Sequence, residues 1–488
     1  MKITLSGNIN RTYVQGLCMA FFHGIRFPEN SDVSGDGFEL YVATEERGAQ
    51  IYTQAQLTYE NRTVKKDNIY IPSNLETPER ACKTAVGQTV YAVCKELSGN
   101  ELEWGILTGI RPSKVCAELL SKCSESETEA FLMEKYLLSK EKASLAITVA
   151  KNETKILNMT NENECSIYIS IPFCPSRCNY CSFISYTGKK LFDLIPAYLE
   201  RLFEEIKTTV NLIDELGLRI SCIYIGGGTP TILDENQLES LLRVISSCIN
   251  PVSLDEFTLE GGRPDTITDK KLEIAQKYGV TRISVNPQTL NDAVLERIGR
   301  RHTAQEFFEA YKKVANSKLK LINTDLIAGL DGDDFESFKT TVDSIISLSP
   351  SNVTVHTFCV KKSAQILRDD SNVYAKEDED ARLSVDYAYK SLVAHGYVPY
   401  YMYRQKNTIG NLENVGYAKK DALGLYNVFM MSDAHTVFGI GAGATTKLIK
   451  NNNSKTEILR IFSPKYPYEY LRDNQKTIDK IKKFFDRG

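Results

Sequence analysis

The sequence predicts an α/β chain organised on an open six-unit barrel of parallel strands, with a small α/β domain before it and an α+β extension after it. Three observations lead there. At 488 residues the chain exceeds one ordinary domain and is expected to hold two or three. From Cys165 onward, short strand-like runs alternate with helical stretches, the pattern of a parallel sheet wrapped by helices. The runs fall near Ser166–Ile171, Ile220–Ile225, Glu256–Glu260, Arg282–Val285, Leu321–Ile327 and Asn352–Phe358, and six units fall short of a closed eight-stranded barrel.

Taken in order, residues 1–100 read as the small α/β domain: a strand at Lys2 to Ser6, a helix around Thr12 to Phe22, strands from Phe38 to Ile71 and a helix from Thr77 to Leu97. No catalytic constellation is found there. Residues 101–164 read as a helical linker. It opens on Glu103-Trp104-Gly105-Ile106-Leu107-Thr108-Gly109-Ile110-Arg111-Pro112, whose Gly and Pro mark irregular backbone. Arg111 can reach an anion, but an ordinary interdomain joint is the favoured reading. The barrel takes residues 165–365. A C-terminal domain covering the substrate takes residues 366–488, with a helix from Glu377 to His395, a strand from Tyr397 to Tyr403, strands from Tyr426 to Phe438 and a helix near Tyr466 to Phe485.

Composition sets the class. With 42% hydrophobic and 25% charged residues the chain reads as soluble and globular, and a net charge of -3 offers no global attraction to nucleic acid or anionic membrane. The start, Met1-Lys2-Ile3-Thr4-Leu5, lacks the apolar core of a signal peptide, and no apolar run reaches the length of a membrane span. Twelve cysteines, mostly scattered singly, read as reduced thiols in a cytoplasm.

The chemistry-bearing stretch is Ile171-Pro172-Phe173-Cys174-Pro175-Ser176-Arg177-Cys178-Asn179-Tyr180-Cys181-Ser182-Phe183. Its three cysteines follow a strand, so they sit on a loop able to wrap a metal group. A helical core face is disfavoured because Pro172 and Pro175 break the helix it would need. Zinc is the main alternative; it usually takes four Cys or His ligands, and no His is nearby. Three thiolates suit a four-iron cluster that keeps one iron open to a further ligand.

Other polar residues fall at the ends of the strands. Gly226-Gly227-Gly228-Thr229-Pro230 follows the second strand, and three glycines let backbone amides approach a ligand closely. Glu260 ends the third strand, Gln288 follows the fourth and Asp325 lies late in the fifth. Carboxylates among apolar strand residues are costly unless partnered, so a polar ligand or a structural ion pair is expected for each.

Cys-x3-Cys-x2-Cys with an aromatic before the last cysteine resembles the signature of the radical S-adenosylmethionine (SAM) enzymes. Together with Tyr168, the glycine segment, Glu260, Gln288, Arg300 and Asp325 it resembles the oxygen-independent coproporphyrinogen III oxidase family, and the Leu-Thr-Gly-Ile-Arg-Pro and Tyr403-Arg404-Gln405-Lys406-Asn407 segments are similar to its HemZ-type dehydrogenases. The resemblance implies a partial (β/α)6 radical SAM barrel. It implies a 4Fe-4S cluster on Cys174, Cys178 and Cys181. It implies SAM bound by Tyr168, Gly226, Gly227, Gly228, Thr229, Glu260, Gln288, Arg300 and Asp325, with Tyr168 and Glu260 at the reacting centre.

The implied function is oxidative decarboxylation of coproporphyrinogen III propionates to vinyl groups, with a tetrapyrrole substrate and a flavodoxin- or ferredoxin-type electron donor. A haem chaperone, or a radical SAM enzyme on another substrate, is the alternative. Two positions depart from the family pattern: Phe183 stands where a fourth cysteine often lies, and Asn286-Pro287 replaces Gly-Val before Gln288. Arg404, Lys406 and Lys447 are candidate partners for anionic propionates, with a solvated surface role equally open, and Tyr400, Tyr401 and Tyr403 are candidates to stack on the ring, with simple core the commoner reading.

Overall fold

The computed structural model describes residues 1–22, 24–27, 37–109, 111–181, 186–359, 378–405, 408–452, 455–472 and 476–486. Phe183, Lys406 and Asn407 lie outside the described residues. The chain divides into two compact units, and residues Met1–Lys151 with Met402–Glu413 belong to the first.

In that unit, β1 (Lys2–Ser6), β2 (Phe38–Arg47), β3 (Gln50–Tyr59) and β4 (Arg62–Tyr70) form a sheet in sequence order, β1 parallel to β2 and the rest antiparallel. The inward residues Leu40, Val42, Ala55 and Leu57 are buried, and so are Val14 and Leu17 of the helix Arg11–Phe21 and Val90 and Val93 of the helix Pro78–Ser98. The second helix, expected from Thr77 to Leu97, starts with Thr77 accepting from the Arg80 amide and ends at Gly99 in the left-handed region. The helices expected to form a linker count with this unit as far as Lys151. They are fastened by a buried cluster: Glu413 accepts from Trp104 Nε1 at 2.7 Å and pairs with Lys142 at 2.9 Å. Burial alone would push the Glu413 carboxyl up, but the Lys142 ammonium beside it holds it below the usual range.

The second unit carries the barrel strands: β5 (Glu164–Ile171), β6 (Arg219–Gly227), β7 (Glu256–Glu260), β8 (Arg282–Ser284), β9 (Leu321–Ala328) and β10 (Asn352–Thr357), each parallel to the next. All six expected strands are present within two residues of the predicted limits. The sheet is not closed; it is an 11-stranded open sheet that continues at both edges. With β11 (Val398–Arg404), β12 (Glu413–Ala418), β13 (Thr436–Ile440), β14 (Thr445–Asn452) and β15 (Lys455–Phe462), its order is β11-β12-β10-β9-β8-β7-β6-β5-β13-β14-β15.

The C-terminal stretch departs from the sequence reading in three places. Tyr426 to Phe438 is not continuous strand: Leu425–Met431 is helix, and β13 begins at Thr436. The aromatic and β-branched content of this stretch favours strand, but Glu256 accepts from the Leu425 amide at 2.9 Å and caps a helix there. β13 lies parallel against β5, so late sequence extends the barrel's own sheet. The last helical stretch is two helices, Pro467–Tyr470 and Lys476–Phe485.

Candidate functional site

Along a strand, residues two apart share a face. On β7 these are Glu256, Thr258 and Glu260; on β9, Asn323 and Asp325; on β10, Asn352, Thr354 and His356. At the start of the strands the Arg282 Nε lies 3.3 Å from Glu256, and its Nη1 donates to Asn323 at 2.9 Å and to Asn352. Nη2 donates to the carbonyls of Ala422 and Leu423. Glu256 also accepts from the Leu425 and Tyr426 amides, so this network fixes the helix that carries Tyr426. The Tyr426 ring then stacks on Tyr224 at 4.7 Å, and Tyr168 completes a set of three near-parallel rings, 6.1 Å from Tyr224 and 6.2 Å from Tyr426. Burial raises all three phenols above their ordinary value, so they stay neutral.

At the strands' C-terminal ends the polar groups are less well supplied. Glu260 makes no ion pair among the described residues, and its carboxyl is pushed up to about 8 by burial and by the neighbouring Asp325. Burial raises Asp325 as well, against the pull of His356, whose Nε2 lies 4.0 Å away. Asn286 braces Asp325 from both sides: its amide donates to Oδ2 at 2.8 Å, and its carbonyl oxygen accepts from the Asp325 amide at 3.2 Å. The Asn286 departure from the family pattern therefore holds a carboxylate in place.

Gln288 sits in the left-handed region at φ 72, where a non-glycine residue is strained. The conformation is held by its amide donating to Asp325 O and its carbonyl accepting from the Ile327 amide. Its buried Oε1 has no hydrogen-bond partner among the described residues, and a strained backbone with an unmatched acceptor is what a ligand-binding position looks like.

The cysteine turn lies beside this ledge. Gly228 donates to Ile171 O and Thr229 to Phe173 O, which lays the glycine segment against the turn. A Cβ on Gly228 would fall 2.5 Å from Phe173 O and 2.9 Å from Cys174 Sγ, and one on Gly226 would fall 2.6 Å from Glu260 Oε2. At Gly228 the obstacle is backbone, so only glycine fits that place. Thr229 Oγ1 lies 3.3 Å from Cys174 Sγ.

Arg300 is buried, donates to Gly262 O at 2.8 Å and Asn286 O at 2.6 Å, and reaches Tyr180 Oη and Cys178 Sγ with its other nitrogen. The structure therefore brings together Tyr168, Cys174, Cys178, Gly226, Gly228, Thr229, Glu260, Gln288, Arg300 and Asp325 on one side of the unit. Cys181 follows in the same turn, its amide bonded to Cys178 O, and Gly227 closes β6.

Among the described residues no three Cys, His, Asp or Glu side chains converge closely enough to hold a single metal ion. The donor set itself suits a cuboidal cluster, which presents a separate iron to each thiolate: three thiols on one turn, with the Thr229 hydroxyl beside Cys174 Sγ and the Arg263 and Arg300 guanidiniums beside Cys178 Sγ.

Sequence reasoning missed Arg263, Ser176, Tyr224 and Tyr426. Tyr224 had a readable signal, as it stands at the end of an apolar run two residues before Gly226. Arg263 and Ser176 had none, because their contacts join segments 87 residues apart. Of the propionate candidates, the two that lie among the described residues bond to backbone carbonyls. Lys447 donates to the carbonyls of Phe429, Met430 and Ser432 at the end of the helix Leu425–Met431. Arg404, lowered to about 10 by burial, lies over Trp104 and donates to Leu107 O and Asn411 O. Tyr400 and Tyr401 are buried core, as the commoner reading had it.

Residues 168–345 match the radical SAM superfamily. Over 405 residues the chain is 36% identical to the oxygen-independent coproporphyrinogen-III oxidase-like protein HemZ of Bacillus subtilis (strain 168), covering 82% of this chain and 80% of that protein. It is 30% identical over 282 residues to the heme chaperone HemW of the same organism, covering 57% of this chain and 70% of that one. Among solved structures, coproporphyrinogen III oxidase (HemN) from Escherichia coli, titled a radical SAM enzyme, aligns with a TM-score of 0.51 at 20% identity over 66% of this chain and 71% of that one. That likeness is one of fold.

Proposed function

The chain belongs to the oxygen-independent coproporphyrinogen III oxidase-like family of the radical SAM superfamily, which implies a 4Fe-4S cluster and SAM, and from that premise we propose that it is an oxidoreductase that converts coproporphyrinogen III propionates to vinyl groups. Each vinyl group formed releases one CO2, one hydrogen atom and one electron. When bound, the cluster and SAM supply the abstraction of that hydrogen atom through a 5'-deoxyadenosyl radical.

Cys174, Cys178 and Cys181 hold the cluster on the turn after β5. Gly226, Gly227 and Gly228 let the backbone of this segment pass close to the cysteine turn and Glu260, which leaves room there for the ligand, and Thr229 steadies Cys174. The Glu260 and Asp325 carboxylates receive the cationic groups of SAM, Gln288 offers its unmatched oxygen, and Arg300 ties the Asn286 segment to the cysteine turn. Tyr168, with Tyr224 and Tyr426, forms a neutral aromatic wall that excludes water from the reacting centre. The single observation that carries SAM binding is the buried, unmatched Oε1 of Gln288, held on a strained backbone that bonds to the Asp325 carbonyl, an acceptor that a ligand's donor would complete. Family membership across four-fifths of the chain carries the tetrapyrrole.

A second reading, a tetrapyrrole-binding protein that decarboxylates nothing, is favoured by one observation: the 30% identity over 282 residues to the heme chaperone HemW. Anaerobic reconstitution with iron and sulfide, followed by SAM, reductant and coproporphyrinogen III, separates the readings by mass spectrometry. The decarboxylase yields 5'-deoxyadenosine with porphyrin species lighter by one and two units of CO2 and hydrogen. Tetrapyrrole binding without CO2 release would select the second reading.

A further inference from the structure

Within the cysteine turn, one sulfur is treated differently from its neighbour. Cys174 Sγ has the Thr229 hydroxyl beside it. Cys178 Sγ has two guanidiniums: Arg300 Nη1 at 4.0 Å and Arg263 Nη1 at 3.9 Å. Both arginines are buried, Arg263 to 3% exposure.

Their other contacts divide their roles. Arg300 gives its second nitrogen to two backbone carbonyls of the loops after β7 and β8. Arg263 turns toward the cysteine turn itself. Nη1 donates to Ser176 Oγ at 2.9 Å, and Ser176, inside the Cys174 to Cys178 interval, donates in turn to Gly299 O at 3.0 Å. The opposite side of the guanidinium pairs with Asp265 at 3.1 Å, a carboxylate two residues along the same loop.

Asp265, Arg263 and Cys178 thus form one chain of contacts ending on a sulfur, with Ser176 held by the same Arg263 Nη1. Donors and positive charge beside a cluster thiolate stabilise the more negative, reduced state and raise its potential. A carboxylate behind the donor attenuates that effect.

We propose that Arg263 is a positioning residue that sets the reduction potential of the iron-sulfur cluster through Cys178, with Asp265 as the counter-charge that limits it. The inference rests on the cluster reading of the three cysteines. Its consequence is functional: the ease with which a carrier protein reduces the cluster depends on Arg263.

The test is an EPR-monitored redox titration of the anaerobically reconstituted full chain without SAM, with iron and sulfide analysed in every sample. Arg263→Gln is expected to shift the midpoint potential downward, Arg263→Lys to shift it less, and Asp265→Asn to shift it upward, all with wild-type iron content. Opposite signs for Arg263→Gln and Asp265→Asn separate tuning from loosening of the turn, which would move both the same way. Should Arg263→Gln fail to take up iron, the upward shift in Asp265→Asn decides the question. Wild-type midpoints in both variants, or shifts of one sign, overturn the proposal. A wild-type chain that forms no four-iron cluster overturns the cluster reading and the proposal together.

Discussion

The two ends of the barrel strands carry the same kinds of residue under opposite conditions. At the N-terminal end, Glu256 and Arg282 are ion-paired and buried, and Asn323, Asn352, two carbonyls and two helix amides complete their contacts. At the C-terminal end, on the same strands or just past them, Glu260 makes no ion pair among the described residues, Asp325 stays raised although the His356 ring lies 4.0 Å away, and Gln288 holds a strained backbone and an unmatched oxygen. A polar cluster that completes itself is part of the fold. One that is left incomplete, at some cost to the fold, marks where a ligand completes it. The two ends are linked, because Glu256 caps the helix whose Tyr426 lines the wall between them.

Substitutions at the two ends should therefore fail in different ways. The largest effect is expected at the turn: Cys178→Ala abolishes cluster assembly and 5'-deoxyadenosine formation while circular dichroism stays native, read by iron content and product analysis. Native turnover in that variant would remove the cluster from the account. Next is Arg282→Met, which leaves Glu256 buried without its partner and should lower stability by roughly 3–5 kcal/mol in urea unfolding. If instead it lost SAM affinity at undiminished stability, the division between the ends would collapse.

Glu260→Gln should do the reverse, weakening SAM binding by about tenfold or more while stabilising the ligand-free protein by on the order of 1 kcal/mol at pH 8. The pH dependence has a definite sign. A carboxyl raised from 4.5 to about 8 on folding contributes fully below pH 4.5, and that contribution is lost as pH rises to about 8. Unfolding free energies of the ligand-free wild type should carry that downward slope, and Glu260→Gln should flatten it. The smallest effect is expected for Asn286→Ala, which removes two hydrogen bonds from Asp325 and should cost about 1 kcal/mol of SAM affinity by titration calorimetry.

Much of this was legible in sequence for reasons of local chemistry. Strand periodicity located β5 to β10, and the cysteine spacing, the glycine run and the acidic strand ends picked out residues that fold into one cluster, because each depends on residues close together in the chain. What was not legible depends on long-range partners. β13 pairs with β5 although it begins 265 residues after β5 ends, and nothing in Thr436–Ile440 names that neighbour. Lys447 and Arg404 read as free cations, yet burial sets them against backbone carbonyls. Arg263 sits in an ordinary Gly-Gly-Arg-Pro turn, and only folding brings it to Cys178.

The most direct test of the division between the barrel ends is SAM binding to cluster-loaded protein, followed by the change in the EPR spectrum of the reduced cluster. Wild type and Arg282→Met, compared at a temperature where both are folded, are predicted to show the same SAM-dependent change at the same concentration. Glu260→Gln should need about tenfold more SAM. A Glu260→Gln protein that binds SAM as wild type does, or an Arg282→Met protein that folds and cannot bind it, would contradict the account.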